Sequence, residues 1–308
     1  MDRMVSLRKI SEIKDFENIC FEAALVSLDL VKKNDGNGEY QKLKFADKTG
    51  VLTVPLWVVN NELAPGKAYR VKAMKTSWKG NPQLDNVVIE ELKDYKSGQF
   101  LESYEMTKES VRIIYDAINK LKQPYKTFLL KLFSIDGDDI TLENSQKSRL
   151  FSEFMRCPSA EKHHGNKIHG LCYHTIGVIK NALNIICLYE KGEFPQIYGN
   201  KISDCVNIDR LIFKAIIHDI CKINEYQYDV CIARKNKEVG HIIDGVYLVK
   251  SVNHKHNIFS EQEEDNICYS ILSHHGEFGP YQPKTLEDTI LHISDLIDAR
   301  VVGEMEQL

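Results

Sequence analysis

Several things are missing from this 308-residue chain. Its eight cysteines (Cys20, Cys157, Cys172, Cys187, Cys205, Cys221, Cys231, Cys268) include no C-x-x-C pair, which excludes a zinc ribbon. There is no run of about 18 apolar residues, so no membrane span is expected. The opening Met1-Asp2-Arg3-Met4-Val5-Ser6 lacks the apolar core of a signal peptide, so the thiols are expected to be reduced and the protein cytoplasmic. There are no internal repeats and no low-complexity segments. Excess positive charge is lacking too: 40 Lys+Arg face 44 Asp+Glu, a formal net charge of -4, which argues against a generally basic nucleic-acid coat. The last gap is positional. No histidine occurs before residue 163, and all 11 lie between 163 and 292. With 43% hydrophobic residues the chain can bury a core, and its length suits about two domains at ~100–200 residues each.

Residues 1 to about 95 read as β. Apolar or alternating stretches at Cys20 to Val31, Tyr40 to Phe45, Val51 to Trp57, Ala68 to Met74 and Gln83 to Leu92 are separated by turn words. The turns are Asn34-Asp35-Gly36-Asn37-Gly38, Asp47-Lys48-Thr49-Gly50, Pro65-Gly66-Lys67 and Lys79-Gly80-Asn81-Pro82. Five short strands at this spacing predict a small barrel of the OB type over residues 1–95. The run Lys67, Arg70, Lys72, Lys75 and Lys79 has no acidic residue between its ends, and Trp57, Tyr69 and Trp78 lie in or near it. Cations with aromatic rings are what single-stranded nucleic acid requires, charge for phosphates and π-faces for bases. Trp57, Tyr69, Lys72, Lys75, Trp78 and Lys79 are therefore the candidate strand contacts, weighed against an ordinary solvated strand face.

Lys93 to Gln99 is polar and reads as a linker. Beyond it the apolar period becomes helical, at Val111, Ile114, Tyr115, Ile118 and Leu121 and again over Tyr125 to Phe133. Residues 96–155 are expected to form a helical connector and 156–308 an all-α domain. The fold class is thus multi-domain α+β, a five-stranded OB-like barrel followed by helices.

Within the helical part, His174, His218-Asp219, His241, His274-His275 and Asp295 each sit on or beside an apolar helix. Imidazoles suit Mn, Fe, Co, Ni or Zn, and carboxylates can bridge two ions. Any one of these residues alone has an ordinary structural explanation. Seven together exceed what one ion usually takes from protein and suffice for two divalent ions about 3.5–4 Å apart, with Asp219 as the natural bridge. A buried pair of that kind activates water for attack on a phosphodiester.

The words around these residues carry a resemblance. His174, His218-Asp219 and Asp295 match the H…HD…D pattern of the HD phosphohydrolase superfamily. The chain more narrowly resembles the YhaM-type 3′–5′ exoribonucleases, through His169-Gly170-Leu171-Cys172-Tyr173-His174-Thr175, Ile217-His218-Asp219-Ile220-Cys221-Lys222, Gly240-His241-Ile242, Ser273-His274-His275-Gly276 and Leu291-His292-Ile293-Ser294-Asp295. In the first domain it rests on Asp47-Lys48-Thr49-Gly50, Leu56-Trp57 and Lys79-Gly80-Asn81-Pro82-Gln83-Leu84. The resemblance implies manganese-dependent removal of nucleotides from a 3′ end, with Fe or Co as other metals. It implies a phosphate-contacting role for Lys222 beside a catalytic Asp219, and single-stranded RNA, or also DNA, as partner. By the same resemblance His163 and His164 line the substrate entrance, with an exposed polar turn as the equal alternative. Arg300 is a further candidate for phosphate, although an exposed helix end suits it better. Asp298, one turn after Asp295, is expected to orient a ligand histidine. One departure is Cys221, where many such domains have glycine, and a cost in backbone freedom is expected there. The polar stretch Glu190 to Asp204 is expected to shape the mouth of the site. A homo-oligomer is left open. Two competing functions remain at this level: an HD phosphodiesterase of cyclic dinucleotides or nucleotides, and a non-catalytic strand-binding module.

Overall fold

The computed structural model describes residues 6–33, 36–161, 165–191, 194–235 and 239–306. The candidate entrance residues His163 and His164 and part of the Asn34-Asp35 turn lie outside them. The chain forms two compact units, residues 1–103 with 227–233, and residues 104–226 with 234–308.

The first unit is built on one long strand. β1 is Leu7–Arg8, β2 Glu17–Lys32, β3 Glu39–Asp47, β4 Gly50–Leu56, β5 Ala68–Trp78 and β6 Asn81–Glu91. β2 pairs antiparallel with β5 through its first half (Glu17↔Lys75 to Ala24↔Ala68) and with β3 through its second (Ala24↔Ala46 to Lys32↔Glu39). A register shift between Leu25 and Ser27 lets the strand bend from one neighbour to the other. The order β4-β3-β2-β5-β6, with β1 parallel to β2 and β4 packed near β6, is that of a five-stranded OB barrel.

The turn word at Asp47 has a clear local cause. Asp47 Oδ1 accepts from the Thr49 N–H (2.7 Å), the Thr49 hydroxyl (2.6 Å) and the Gly50 N–H (3.1 Å), while Oδ2 accepts from Ile10 N–H (2.8 Å). Phe21 and Phe45 meet edge-on at 5.8 Å in the barrel core. Tyr69 lies in the same core, 2% exposed, and its hydroxyl accepts from Ala64 N–H at 2.9 Å. Alternation along β5 sends Tyr69, Val71 and Ala73 inward and Lys72 and Met74 outward.

The grouping of residues 227–233 with the barrel unit is invisible in a linear reading. Val230 packs with Ala24, Ala68 and Phe100, and Gly98 N–H donates to Asp229 O at 2.7 Å. The linear division at residue 95 therefore falls short of the compact unit, which runs on to Ser103.

The second unit contains α1 Lys108–Asn119, α2 Tyr125–Leu132, α3 Leu142–Ser145, α4 Arg149–Arg156, α5 Gly170–Glu190, α6 Phe194–Tyr198, α7 Ile208–Ile217, α8 Lys222–Glu225, α9 His241–His256, α10 Glu261–Ser273 and α11 Leu286–Met305. Between α8 and α9 the chain forms a small hairpin, β7 Tyr226–Tyr228 and β8 Ile232–Arg234, whose residues 227–233 belong to the first unit. Capping side chains mark the helix starts: Thr107, Ser148, Asn207, Ser260 and Thr285 each accept a main-chain N–H of the first turn. α5 packs along α11 and against α7. By length and composition α5 is apolar enough to cross a membrane, contrary to the expectation from apolar runs, but half of that stretch is buried inside the protein. Its apolar character serves the core.

A charged network sits under α7 and α11. The Lys214 ammonium, 1% exposed, lies 3.2 Å from both Glu287 and Asp288. Arg210 grips Glu287 with two bonds (2.6 and 2.7 Å) and reaches Glu263 at 3.1 Å. Burial raises the pKa of both carboxyls, but Arg210 at Glu287 and Lys214 at Asp288 outweigh it and hold them below their ordinary values. A depressed carboxyl pKa stabilises the fold above the unfolded value and stops doing so as pH falls through the folded one. Denaturant unfolding should therefore show falling stability on acidification below about pH 4. Lys214→Met, which leaves two buried carboxylates short of a cation, should cost about 3–5 kcal/mol at pH 7. An unchanged midpoint in the variant would refute this account of the network.

Candidate metal centre

The seven residues predicted from the sequence come together in the second unit as two groups. His174, His218 and Asp295 form one; Asp219, His241, His274 and His275 form the other; within each group the potential ligand atoms lie within 4.8 Å of one another. They arrive on α5 (His174), the end of α7 (His218, Asp219), the start of α9 (His241), the end of α10 (His274, His275) and α11 (Asp295).

Asp219 joins the two groups through its separate oxygens. Oδ2 lies 3.5 Å from the Nε2 atoms of both His174 and His218, and Oδ1 lies 3.3 Å from His241 Nε2 and 3.6 Å from His274 Nε2. Lys222, one turn on, places its ammonium 2.6 Å from Oδ2. Burial pushes the Asp219 carboxyl up, but Lys222 and the surrounding imidazoles outweigh it and hold it well below the carboxylate range. Burial pulls the Lys222 ammonium down, and Asp219 more than offsets this.

The tautomers follow from the outer partners. His218 Nδ1 donates to Ala215 O (2.9 Å) and His274 Nδ1 to Ile271 O (2.7 Å), each three residues back. His174 Nδ1 donates to Asp298 Oδ2 (2.7 Å) and His241 Nδ1 to Glu225 Oε2 (2.5 Å). Because those oxygens are fixed acceptors, each neutral ring turns an Nε2 lone pair inward. Nε2 of His174 and Nε2 of His218 lie 3.3 Å apart, a contact that needs a proton or a cation between them. Burial pulls His174 down, but bonds to Asp219, Asp295 and Asp298 raise it well above its ordinary pKa. Burial drives His218 to about 3, and burial with His274 as neighbour drives His275 to about 4. Asp219 Oδ1, His241 Nε2 and His274 Nε2 are buried with no hydrogen-bond partner among the described residues. Buried lone pairs that lack donors and converge on common points are what a divalent cation requires, so the residue set fits divalent metal binding.

Supporting residues outside the predicted set hold this geometry. Glu225 was one: its buried carboxylate at the end of α8 fixes His241, and its only sequence signal is an acidic residue closing the short helix after the HD word. His292 donates from Nδ1 to His274 O at 2.8 Å, and Gly276, at φ +52, leaves it room: a Cβ there would lie 2.4 Å from the His292 ring. Gly177 does the same for Asp298, since a Cβ would lie 1.7 Å from Asp298 Oδ1. Cys221 adopts φ -75 and ψ 0, an ordinary right-handed conformation, so the expected cost of replacing glycine does not arise.

Other sequence expectations fare differently. Tyr69 is a core residue and offers no face to a base. Lys75 is tied to Asp15 at 2.5 Å and is largely covered, so it is not an open cation. Trp57 is half-exposed and rests on Tyr40 at 4.9 Å; Trp78 is exposed, with the Lys79 ammonium 6.0 Å from its ring; Lys72 is exposed. Register puts Tyr40 opposite Val31, near the end of β2, while Trp78 lies beyond the pairing of Lys75 with Glu17 at its start. The aromatic residues are therefore two patches and not one platform. Arg300 is exposed, its guanidinium 5.9 Å from the Phe278 ring, and is not part of either ligand group. Glu190 lies about 24 Å along α5 from His174 at 1.5 Å per residue, and part of the Glu190 to Asp204 stretch, Gly192 and Glu193, lies outside the described residues. There Glu190 accepts from Ser203 N–H (3.1 Å) and hydroxyl (3.0 Å).

The HD domain family model matches residues 171–300, which span every ligand named above. Over most of its length the chain is similar to proteins named 3′-5′ exoribonuclease YhaM. It is 27% identical over 296 residues to the 3′-5′ exoribonuclease YhaM of Listeria innocua, covering 90% of this chain and 84% of that protein. The YhaM of Oceanobacillus iheyensis is 25% identical, with 91% and 84% covered. For the barrel, the second OB-fold domain of replication protein A from Methanococcus maripaludis is a solved structure with 18% identity and a TM-score of 0.24, covering 29% of this chain and 98% of that one. The chain is thus an enzyme of the HD hydrolase kind, with an OB barrel ahead of its HD domain.

The Gly177 contact can be tested directly. Gly177→Ala forces Asp298 off His174, and the affinity for Mn²⁺ in calorimetric titration should fall about 10–100-fold, as for other lost outer partners of ligand histidines. An unchanged affinity would mean that Asp298 does not hold the ring.

Proposed function

We propose that this protein is a 3′–5′ exonuclease that shortens single-stranded RNA, and also DNA, to nucleoside 5′-monophosphates with two divalent ions, Mn²⁺ foremost. The observation that carries the reading is Asp219, whose two oxygens each face a separate, inward-pointing set of imidazole lone pairs. Divalent ions bound there supply Lewis acidity for in-line attack of water on a phosphodiester and offset the charge of the transition state. The chain's own residues do the rest. His174, His218 and Asp295 would hold one ion and His241, His274 and His275 the other, with Asp219 facing both groups. Lys222 keeps Asp219 ionised and adds a fixed positive charge beside it, suited to a phosphate oxygen.

An exonuclease must also hold the strand upstream of the cut. The barrel suits that task. OB folds bind single strands on their sheet face and through the loops after the first and fourth barrel strands. Here the strand following the first of those loops begins near Tyr40, on which Trp57 rests, and the other loop carries Trp78 and Lys79. Two separated aromatic patches flanking a sheet face suit a strand laid across it better than a compact small molecule. The relatives named 3′-5′ exoribonuclease support the same reading, since similarity to them runs over both units. A binding-only role is disfavoured because all seven ligand positions are kept.

The test uses 5′-labelled RNA and DNA oligonucleotides with Mn²⁺, beside cyclic dinucleotides and nucleoside triphosphates. Stepwise shortening of RNA from the 3′ end is expected, abolished in the His218→Ala, Asp219→Ala double variant. Turnover of the cyclic or triphosphate substrates alone would transfer the site to small nucleotides. On long RNA, Trp57→Ala or Trp78→Ala should raise KM by the equivalent of about 1–3 kcal/mol, the worth of one stacked base, and leave kcat near wild type. Equal KM values would remove these rings from the strand path.

A further inference from the structure

The outer partners of the ligand histidines are not alike. His218 and His274 donate to neutral main-chain carbonyls at the preceding turn, a contact that any helix-ending histidine can make from its own backbone. His174 and His241 donate to carboxylates, Asp298 and Glu225. Each ligand group therefore contains one histidine with an anionic partner. A carboxylate makes its imidazole a stronger donor to a cation than a carbonyl does, and fixes the ring plane as well.

The two anionic partners differ in how they are held. Asp298 comes from α11, across the core, and occupies the space that Gly177 leaves. Glu225 is local to the second group and is saturated. Its Oε2 takes both the His241 main-chain N–H (3.0 Å) and the ring Nδ1–H (2.5 Å), so one oxygen sets the start of α9 and the ring it carries. Its Oε1 takes the Arg234 guanidinium at 2.5 Å, and its main-chain oxygen accepts from Lys235 N–H at 2.8 Å. Glu225 is 2% exposed, and Arg234 reaches it from the surface.

We propose that Glu225 is a positioning residue that sets the affinity of the second ligand group, Asp219, His241, His274 and His275, without setting that of the first. Arg234 holds the Glu225 carboxylate from outside and so acts on the same group at one remove. The inference rests on the two-ion reading above. It predicts that the two ions can be separated by substitution, Glu225 governing one and Asp298 the other.

The experiment is Mn²⁺ titration of the full chain by calorimetry, with bound metal counted by mass spectrometry after equilibrium dialysis. Wild type should hold two ions. Glu225→Gln keeps the side-chain shape and removes the charge. It should keep one binding step unchanged and weaken the other about 10–100-fold, leaving one ion at limiting Mn²⁺. Asp298→Asn should weaken the opposite step. Far-ultraviolet circular dichroism and the unfolding midpoint check that each variant is folded. If Glu225→Gln does not fold, Arg234→Gln carries the test, because the carboxylate stays and only its outer partner is lost; the same single step should weaken, by a smaller factor. Two unchanged steps, or equal weakening of both, would overturn the assignment. A wild-type protein that takes up no Mn²⁺ would overturn the two-ion reading instead.

Discussion

Asp219 is a buried carboxylate with imidazoles on both sides, and the second unit is organised around keeping it ionised there. An isolated carboxylate at that depth would take up a proton, because the cost of burying its charge exceeds the cost of protonation. Lys222 at 2.6 Å prevents this from one side. The ligand imidazoles, turned so that their Nε2 atoms converge, prepare the other sides for positive charge. Five separate chain segments must be brought to one point for this to hold, which is why α5, α7 and α11 are packed tightly and why glycines stand where Asp298 and His292 cross them.

The polar groups around the site are secured in layers. The ligand histidines are fixed by Asp298, Glu225 and two carbonyls; His274 is fixed again by His292 through its carbonyl; Glu225 is fixed by Arg234. The same logic operates away from the site, where Lys214 and Arg210 neutralise Glu287 and Asp288. A set of side chains held this rigidly would lose little freedom if a cation or a phosphate arrived.

The barrel contributes a different kind of surface. Its core is closed by Phe21, Phe45 and Tyr69, and of the candidate strand contacts Trp57 on Tyr40, Trp78 with Lys79, and Lys72 remain outside. Lys67, Arg70 and Lys75, which look like free cations along the chain, are paired with Glu91, Glu22 and Asp15. Affinity for a strand would then depend more on stacking and less on phosphate charge than a run of five cations implies.

The ligand types and the helices that carry them were legible in the chain itself, since apolar spacing is a local property and His218-Asp219 or His274-His275 keep their place at a helix end whatever the surroundings. The five-stranded barrel was legible for the same reason, through turn words such as Asp47-Lys48-Thr49-Gly50 whose bonds are made within four residues. Even the inward face of Tyr69 was there to be found in the alternation of β5, though the nearby cations obscured it. Only the tertiary structure decided the division of seven ligands into three and four, the oxygen of Asp219 that faces each, and the partners Asp298 and Glu225. It alone showed the ion pairs that engage Lys75 and Arg70, and the grouping of residues 227–233 with the barrel. Each of these depends on distances between residues far apart in sequence, and neither periodicity nor spacing along a chain carries that information.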